Sequence, residues 1–317
     1  MSKLEIPIPW NKDDSQPQSN HYKVKSAFIQ FLSDIAYLIK APVLLANILP
    51  VFTGYWLSLH FTNSSFGNHF LMFFFVITGS TLVMAGALVI NNWYDHDIDK
   101  VMARTLKRPT VTGNIPLSSV YWLGISLSVL GFILLLFTTW STVLYSFIGW
   151  FTYVVLYTMW TKRRYTLNTV IGSISGAVTP LIGWAAIAPV NHIVPIILFL
   201  LLFIWQMPHT FAIAIRKYEE YREARVAMLP VVHGFPITKR QTVVYIACLL
   251  PLPFYLGDLG TAFIGITTIM NFLWLALAFY GLFTKYDTKW ATIVFLYSVN
   301  YITIVFLVMV IVTWPVG

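Results

Sequence analysis

The stretch FLMFFFVITGSTLVMAGALVINNWYDHDIDK, residues 70–100, runs from about twenty apolar residues straight into three carboxylates, Asp95, Asp97 and Asp99. An apolar run of that length crosses the ~30 Å hydrocarbon core of a bilayer as one helix. Comparable runs occur near 42–60, 117–137, 141–160, 168–188, 193–214, 243–260, 262–284 and 291–313, which makes nine spans. Composition agrees. The chain is 58% hydrophobic and 10% charged with a mean hydropathy of +0.73, far from the roughly 25% charged residues of a soluble domain. The expectation is an all-α polytopic membrane protein. Nine transmembrane helices in one intramembrane domain, residues 31–317, surround a central site, and residues 1–30 form a polar N-terminal tail. That tail lacks a basic-then-apolar signal with a cleavage site and reads as retained in the cytoplasm. The single Cys248 lies inside a span, so no disulfide or zinc framework is available.

Orientation follows from the cations. All twenty Lys and Arg fall in five segments: the N-terminal tail up to Lys40, 100–108, 162–164, 216–240 and 285–289. With nine spans, all five segments lie on one side. The positive-inside rule makes that side the cytoplasm and puts the C-terminus outside a cell membrane. Topology alone accounts for Lys162, Arg163, Arg164, Lys285 and Lys289, and the net charge of +8 needs no nucleic-acid partner.

Topology does not account for the acids. Of only twelve Asp and Glu, three sit in 95–99 and three more in 219–223. Carboxylates contribute little to orientation, and at the end of a span they cost desolvation unless paired or bound to a cation. If the helix over 70–90 continues for two turns, Asn91, Asp95 and Asp99 recur at i, i+4 and i+8 and share one face. These are hard oxygen ligands of the kind Mg²⁺ takes while sharing the ion with substrate phosphates. Asp97 points away and is expected to pair with Arg104 or Lys107. A solvated, salt-bridged loop would carry the same acids. Arg104, Lys107 and Arg108, however, follow within about two helical turns, and carboxylates beside a cationic cluster suit a metal together with a diphosphate.

The stretch NNWYDHDIDKVMARTLKRPTVTGNIP, residues 91–116, resembles the Asn-x-x-x-Asp-x-x-x-Asp signature of the intramembrane UbiA-type prenyltransferases, with Asn91, Asp95 and Asp99 at its fixed positions. Asp99 to Pro109 is similar to the haem-farnesylating branch. So are YTMWTKRRYTLNTVIGSISGAVTPLIGWAA (157–186), WQMPHTFAIAIRKYEEYREA (205–224) and MLPVVHGFPITKRQ (228–241). The segment 38–60 resembles the form found in Gram-positive bacteria. The likeness covers roughly residues 30 to 310.

Where members acting on quinone precursors carry a second Asp-x-x-x-Asp, this chain has Lys217 and Tyr221, an arrangement the haem branch shares. The resemblance therefore implies that Lys217 grips diphosphate and Tyr221 donates a hydrogen bond to it, with metal held chiefly by Asn91, Asp95 and Asp99. Arg104, Lys107, Arg108 and Arg216 become candidate diphosphate contacts. Glu219 and Glu223, four apart, are lesser candidate ligands. Arg225 and Ala227 replace the branch's usual Gly and Pro and put the turn before Met228 in question.

The implied reaction transfers the farnesyl group of farnesyl diphosphate to a haem B vinyl group. Water then adds, giving haem O and diphosphate. The implied cofactor is Mg²⁺, haem B is a substrate, and the implied surroundings are membrane lipid and haem A synthase as a partner. Trp56, Trp93, Tyr157, Trp160, Trp184 and Trp205 are candidates for cation–π stabilisation or for packing. His209, inside the sixth span, is a candidate haem contact or a core histidine. Two other readings compete: a prenyltransferase for an aromatic acid or quinone precursor, which Lys217 and Tyr221 argue against, and a transporter. Transporters place ionisable groups near the midplane, whereas these acids gather at span ends.

Overall fold

Backbone amides in lipid have no water to bond, so each apolar run closes its hydrogen bonds on itself as a helix. The computed structural model describes residues 27–314, and among these there is no strand. Eight helical segments are long and apolar enough to cross a membrane, and the protein is membrane-integral. The expected tail, residues 1–30, lies almost wholly outside the described residues.

The described chain opens with α1 (Ala27–Leu38), whose 12 residues are too few to cross a membrane. Spans α2 (Ala41–Phe61) and α3 (Phe70–Tyr94) follow. The short helices α4 (His96–Asp99) and α5 (Pro109–Thr112) lead to α6 (Leu117–Leu135). The next span, α7 (Trp140–Phe151), continues as a π-helix over Thr152–Thr161. The expected fifth span is two short helices in series, α8 (Asn168–Ala177) and α9 (Thr179–Trp184). Pro180 explains the interruption: it has no N–H for the Gly176 carbonyl, and the Thr179 hydroxyl donates there instead, at 2.6 Å.

The second half repeats the plan with α10 (Ile193–Arg216), the short α11 (Tyr218–Glu223), α12 (Leu229–Leu249), α13 (Thr261–Phe283) and α14 (Asp287–Val312). The expected seventh span, 243–260, begins earlier: within Leu229–Leu249 the chain kinks at Gly234, φ 78°, the long helix starts just beyond it at Pro236, and it is followed by a 3₁₀ segment, Leu252–Leu259. Large buried side chains, among them Trp274, Tyr301, Phe263 and Phe306, fill the space between α10, α12, α13 and α14.

Close crossings hold the first half together. A Cβ on Gly183 would lie 1.9 Å from the Val51 carbonyl oxygen, and one on Gly54 would lie 2.1 Å from that of Pro180, so α2 and α9 meet backbone to backbone. Gly183→Ala is expected to push them apart at a cost of about 1–3 kcal/mol. Gly257→Ala, with nothing within 4 Å, should leave thermal unfolding of the purified protein unchanged. Equal unfolding temperatures for the two variants would contradict this packing.

Candidate active site

Acids, cations and loops converge at one end of the bundle. The i→i−4 hydrogen bonds continue past α3, Asp95 N–H to Asn91 O and Asp99 N–H to Asp95 O, both 2.9 Å, so the expected face forms despite a break at Asp95. All three side chains are buried: Asn91 is 2% exposed, Asp95 1% and Asp99 2%. Two buried carboxylates are costly unless compensated, and the structure compensates each with a cation. Lys162 donates to Asp95 and Arg108 to Asp99. Lys40 donates to Asn91 Oδ1, while Asn91 Nδ2 donates to Asp95 Oδ2 at 2.8 Å and to Thr158 Oγ1 at 3.0 Å. Asp95 Oδ1 has no hydrogen-bond partner, although Arg163 lies 3.7 Å away.

Local sequence explains how each cation arrives. Asn92 donates to the Leu38 carbonyl at the open end of α1, which fixes the α1–α2 corner where Lys40 adopts a left-handed conformation, φ 47°. Asp34, 6% exposed, accepts from Gln30 and Asn114 and ties α1 to the loop after α5. The Thr105 hydroxyl donates to the Asp99 carbonyl at 2.7 Å and turns the chain so that Arg108, just before Pro109, returns onto Asp99. Lys162 closes the π-helix, its N–H bonding the Tyr157 carbonyl five residues back at 2.9 Å. In that wide turn its ammonium stands 5.9 Å from the Tyr157 ring.

The neighbourhood also sets the protonation states. Burial, with Arg108 and Lys162 close by, pushes the Lys40 amine well below the usual lysine range. Burial opposes the Lys162 charge as well, but Asp95 more than offsets it and holds that amine above the ordinary value. The Arg163 hydrogen bonds keep the Asp97 carboxyl below the ordinary range.

Two expectations are corrected here. Asp97 pairs with Arg163, at 2.7 Å, rather than with Arg104 or Lys107. Lys162 and Arg163, assigned to topology alone, bind the acids of the first motif.

The second motif closes over the first. Ile98 and Met102 pack against Tyr221, Val226 and Met228, and Asn168 donates to the Ala227 carbonyl at 2.8 Å. Lys217 pairs with Glu220 at 2.6 Å. Arg104 reaches the other Glu220 oxygen at 3.9 Å and lies over the Tyr221 ring at 5.8 Å. Glu220 is thus the acid that faces the site, because Lys217 breaks the helix and resets its phase. Glu219 is exposed and paired with Arg222, and Glu223 is exposed.

The turn at Arg225 is retained: its φ is 52°, Arg225 N–H bonds Arg222 O, and Val226 N–H bonds Tyr221 O. This is a left-handed helix stop that favours glycine. Arg225→Gly should stabilise the protein by about 1 kcal/mol, read as a raised unfolding temperature; a lowered one would mean that the arginine side chain outweighs the backbone strain.

Below the charges lies a cavity of about 260 Å³. Tyr157, Tyr153, Trp150 and Ser146 descend one wall, and Gln206 and Thr210 of α10 face them. Of the six proposed aromatics only Tyr157 lines it. Trp56 stacks on Trp314, Trp93 meets Tyr121 at a tilt, Trp184 bonds the Pro189 carbonyl, and Trp160 is exposed. Arg216 lies over Phe295, 4.5 Å from its ring centre, and Lys107 is exposed. His209 turns towards α14. Its Nδ1 is 2.8 Å from the Ser298 hydroxyl and its ring stacks on Trp205, which donates to the Ser298 carbonyl. The structure therefore gathers Asn91, Asp95, Asp99, Arg104, Arg108, Lys217 and Tyr221 at one end of the bundle, where Lys107, His209 and Arg216 do not join them; none of these ten residues is in the cavity lining, which approaches the charges through Tyr157, beside Lys162.

The buried Asn91–Asp95–Asp99 face with its paired cations thus lies at one end of the bundle, near a largely apolar intramembrane cavity. The UbiA prenyltransferase family model matches residues 47–299, and the chain belongs to that family. Protoheme IX farnesyltransferase of Oceanobacillus iheyensis is 52% identical over 293 residues, covering 92% of this chain and 93% of that protein. Its counterpart in Bacillus mycoides is 53% identical over 284 residues, covering 89% and 92%. Among solved structures, digeranylgeranylglyceryl phosphate synthase superposes with a TM-score of 0.72 at 22% identity, covering 90% of this chain and 99% of that one. A UbiA homologue from Archaeoglobus fulgidus bound to DMAPP and Mg²⁺ gives 0.61 at 17%, covering 87% and 99%. At those identities the two structures speak for the fold.

Proposed function

We propose that the protein transfers the farnesyl group of farnesyl diphosphate to a vinyl group of haem B, with water addition, and releases haem O and diphosphate. The observation that carries the reading is the buried Asn91–Asp95–Asp99 face with its cations, one of which, Lys162, stands beside Tyr157 of the nearby cavity; the names of the relatives above supply the acceptor.

The donor set fits Mg²⁺. Asn91, Asp95 and Asp99 would hold it, they offer hard oxygens, and Asp95 Oδ1 is a buried acceptor still without a hydrogen bond. When bound, the metal neutralises charge on the departing diphosphate. Lys162 and Arg108, which compensate Asp95 and Asp99, have flexible stems and would reach diphosphate oxygens from the same positions, with Lys40 beside them on Asn91. Arg104 and Lys217 approach from the second motif. Together they stabilise charge that grows as the allylic carbon–oxygen bond breaks. The face of Tyr157, with Tyr153 one turn deeper, offers cation–π stabilisation to the farnesyl cation. The apolar contact of Ile98 and Met102 with Val226 and Met228 keeps water out until the vinyl group has reacted. The charged end faces the cytoplasm, so the N-terminus is cytoplasmic and the C-terminus outside.

The test is an acceptor comparison. Purified protein in lipid nanodiscs receives farnesyl diphosphate and Mg²⁺ with haem B or with an aromatic acid, and products are read by mass. Haem O is expected with the first and no product with the second. Prenylation of the acid alone would overturn the acceptor assignment, and no diphosphate release with either acceptor would overturn the donor.

A further inference from the structure

One side chain belongs to two compartments. Trp150 lines the interior cavity, and it also lines a separate groove of about 660 Å³ between α6 and α7. That groove is almost wholly apolar, and its rim residues Val129, Ile133, Leu136, Leu144 and Phe147 are each about half exposed on the membrane-facing surface. The indole is all that both linings share. Its position is fixed: Nε1 donates to the Ser128 hydroxyl at 3.0 Å, and Ser128 in turn donates to the Gly124 carbonyl at 2.9 Å. Ser128 cannot retreat, because α3 and α6 cross so closely there that a Cβ on Gly86 would lie 2.3 Å from its hydroxyl oxygen.

Depth gives the partition a meaning. Trp150 is seven residues before Tyr157 on the same helical wall, roughly 10 Å deeper in the membrane at the usual helical rise. A prenyl chain whose diphosphate sits at Asp95 passes Tyr157 and Tyr153 and then meets the Trp150 ring on its flank. A chain of fifteen carbons fits below the charges beside that ring, whereas further isoprene units need a way out sideways. The groove beyond the indole offers an apolar bed for them.

We propose that Trp150, held by Ser128, is the residue that sets prenyl-chain length, by closing the cavity off from the α6–α7 groove. The proposal rests on the reading of the substrate as farnesyl diphosphate. Small-for-large changes in an apolar pocket shift selectivity by about tenfold or more. Trp150→Ala should therefore raise the use of geranylgeranyl diphosphate over farnesyl diphosphate about tenfold, because the one extra isoprene unit of the longer chain enters the groove. Ser128→Ala, which frees the indole without removing it, should move the same ratio in the same direction by less.

The experiment gives nanodisc-embedded protein the two diphosphates in equal amounts with haem B and Mg²⁺ and measures the ratio of twenty-carbon to fifteen-carbon products. A parallel arm measures, with no acceptor, how well each diphosphate displaces a fluorescent farnesyl diphosphate analogue. Wild type should favour the shorter chain in both arms. A ratio that stays at the wild-type value in Trp150→Ala and in Ser128→Ala would overturn the proposal, as would a wild type that prefers the longer chain. If haem B is not the acceptor, only the first arm falls silent and the displacement ratio still decides the role of Trp150. If Trp150→Ala does not fold, the displacement ratio of Ser128→Ala decides it.

Discussion

Asp95→Asn and Asp99→Asn are each expected to lower turnover at least about a hundredfold, the scale seen when one group stabilising charge in a transition state is lost. The substitution keeps the side-chain shape and removes the charge. In Asp95→Asn the amide no longer balances Lys162, and in Asp99→Asn it no longer balances Arg108, the partners seen in the structure. In each variant the cation left behind has no carboxylate partner at its own position and still faces the other cation. The fold rests mainly on the apolar packing between spans, so both variants should still insert and fold, with an unfolding temperature lowered by the buried cation each leaves without its partner. Measured by haem O formation at saturating Mg²⁺ and farnesyl diphosphate, near-normal turnover in either variant would remove these carboxylates from the chemistry.

Lys162→Met should be almost as severe, again about a hundredfold. Lys162 is 13% exposed at its side chain and bonds a carboxylate that is 1% exposed, so its charge acts in a poorly solvated site where Coulomb terms are large. Lys285 lies on the same side of the bundle as a topology signal only, and Lys285→Ala is expected to leave turnover within about twofold, as for surface sites away from special features. The pair separates two meanings of a basic residue at a span end. Equal, small effects would show that Lys162 does no more than orient the protein. Partial recovery in Lys162→Arg is expected, since the charge returns with a different geometry.

The spans and the first motif were legible for one physical reason: in a chain with so few acids, any cluster at a span end needs a counter-charge. The reading of Asn91, Asp95 and Asp99 as one face needed only helical periodicity, and the backbone hydrogen bonds carry that period through Asp99. Lys162, Arg163 and Lys40 were not legible, because the positive-inside rule already gave them a sufficient cause and nothing local in the sequence pairs them with residues 51 to 67 positions away. Glu220 was hidden by assuming an unbroken helix after α10, which puts Glu219 and Glu223 on one face; the break at Lys217 brings Glu220 round instead. Likewise, aromatic residues were counted by type, and only packing decides that Trp150 and Tyr153 line the cavity while Trp56 and Trp184 stabilise the opposite end. The α7 continuation as a π-helix, which aligns Tyr157 with Lys162, has no clear signature in the run TYVVLYTMWT.

The proposed reaction requires Asp95 and Asp99 to exchange Lys162 and Arg108 for a metal while those cations pass to a diphosphate. Equilibrium binding of Mn²⁺, followed by the electron paramagnetic resonance of the free ion with and without inorganic diphosphate, reads that exchange without turnover. The two ligands relieve each other's electrostatic cost, so wild-type protein should bind Mn²⁺ about tenfold or more tightly when diphosphate is present, and Asp95→Asn should lose both the binding and the coupling. Mn²⁺ binding that is indifferent to diphosphate, or equally tight in Asp95→Asn, would contradict the exchange.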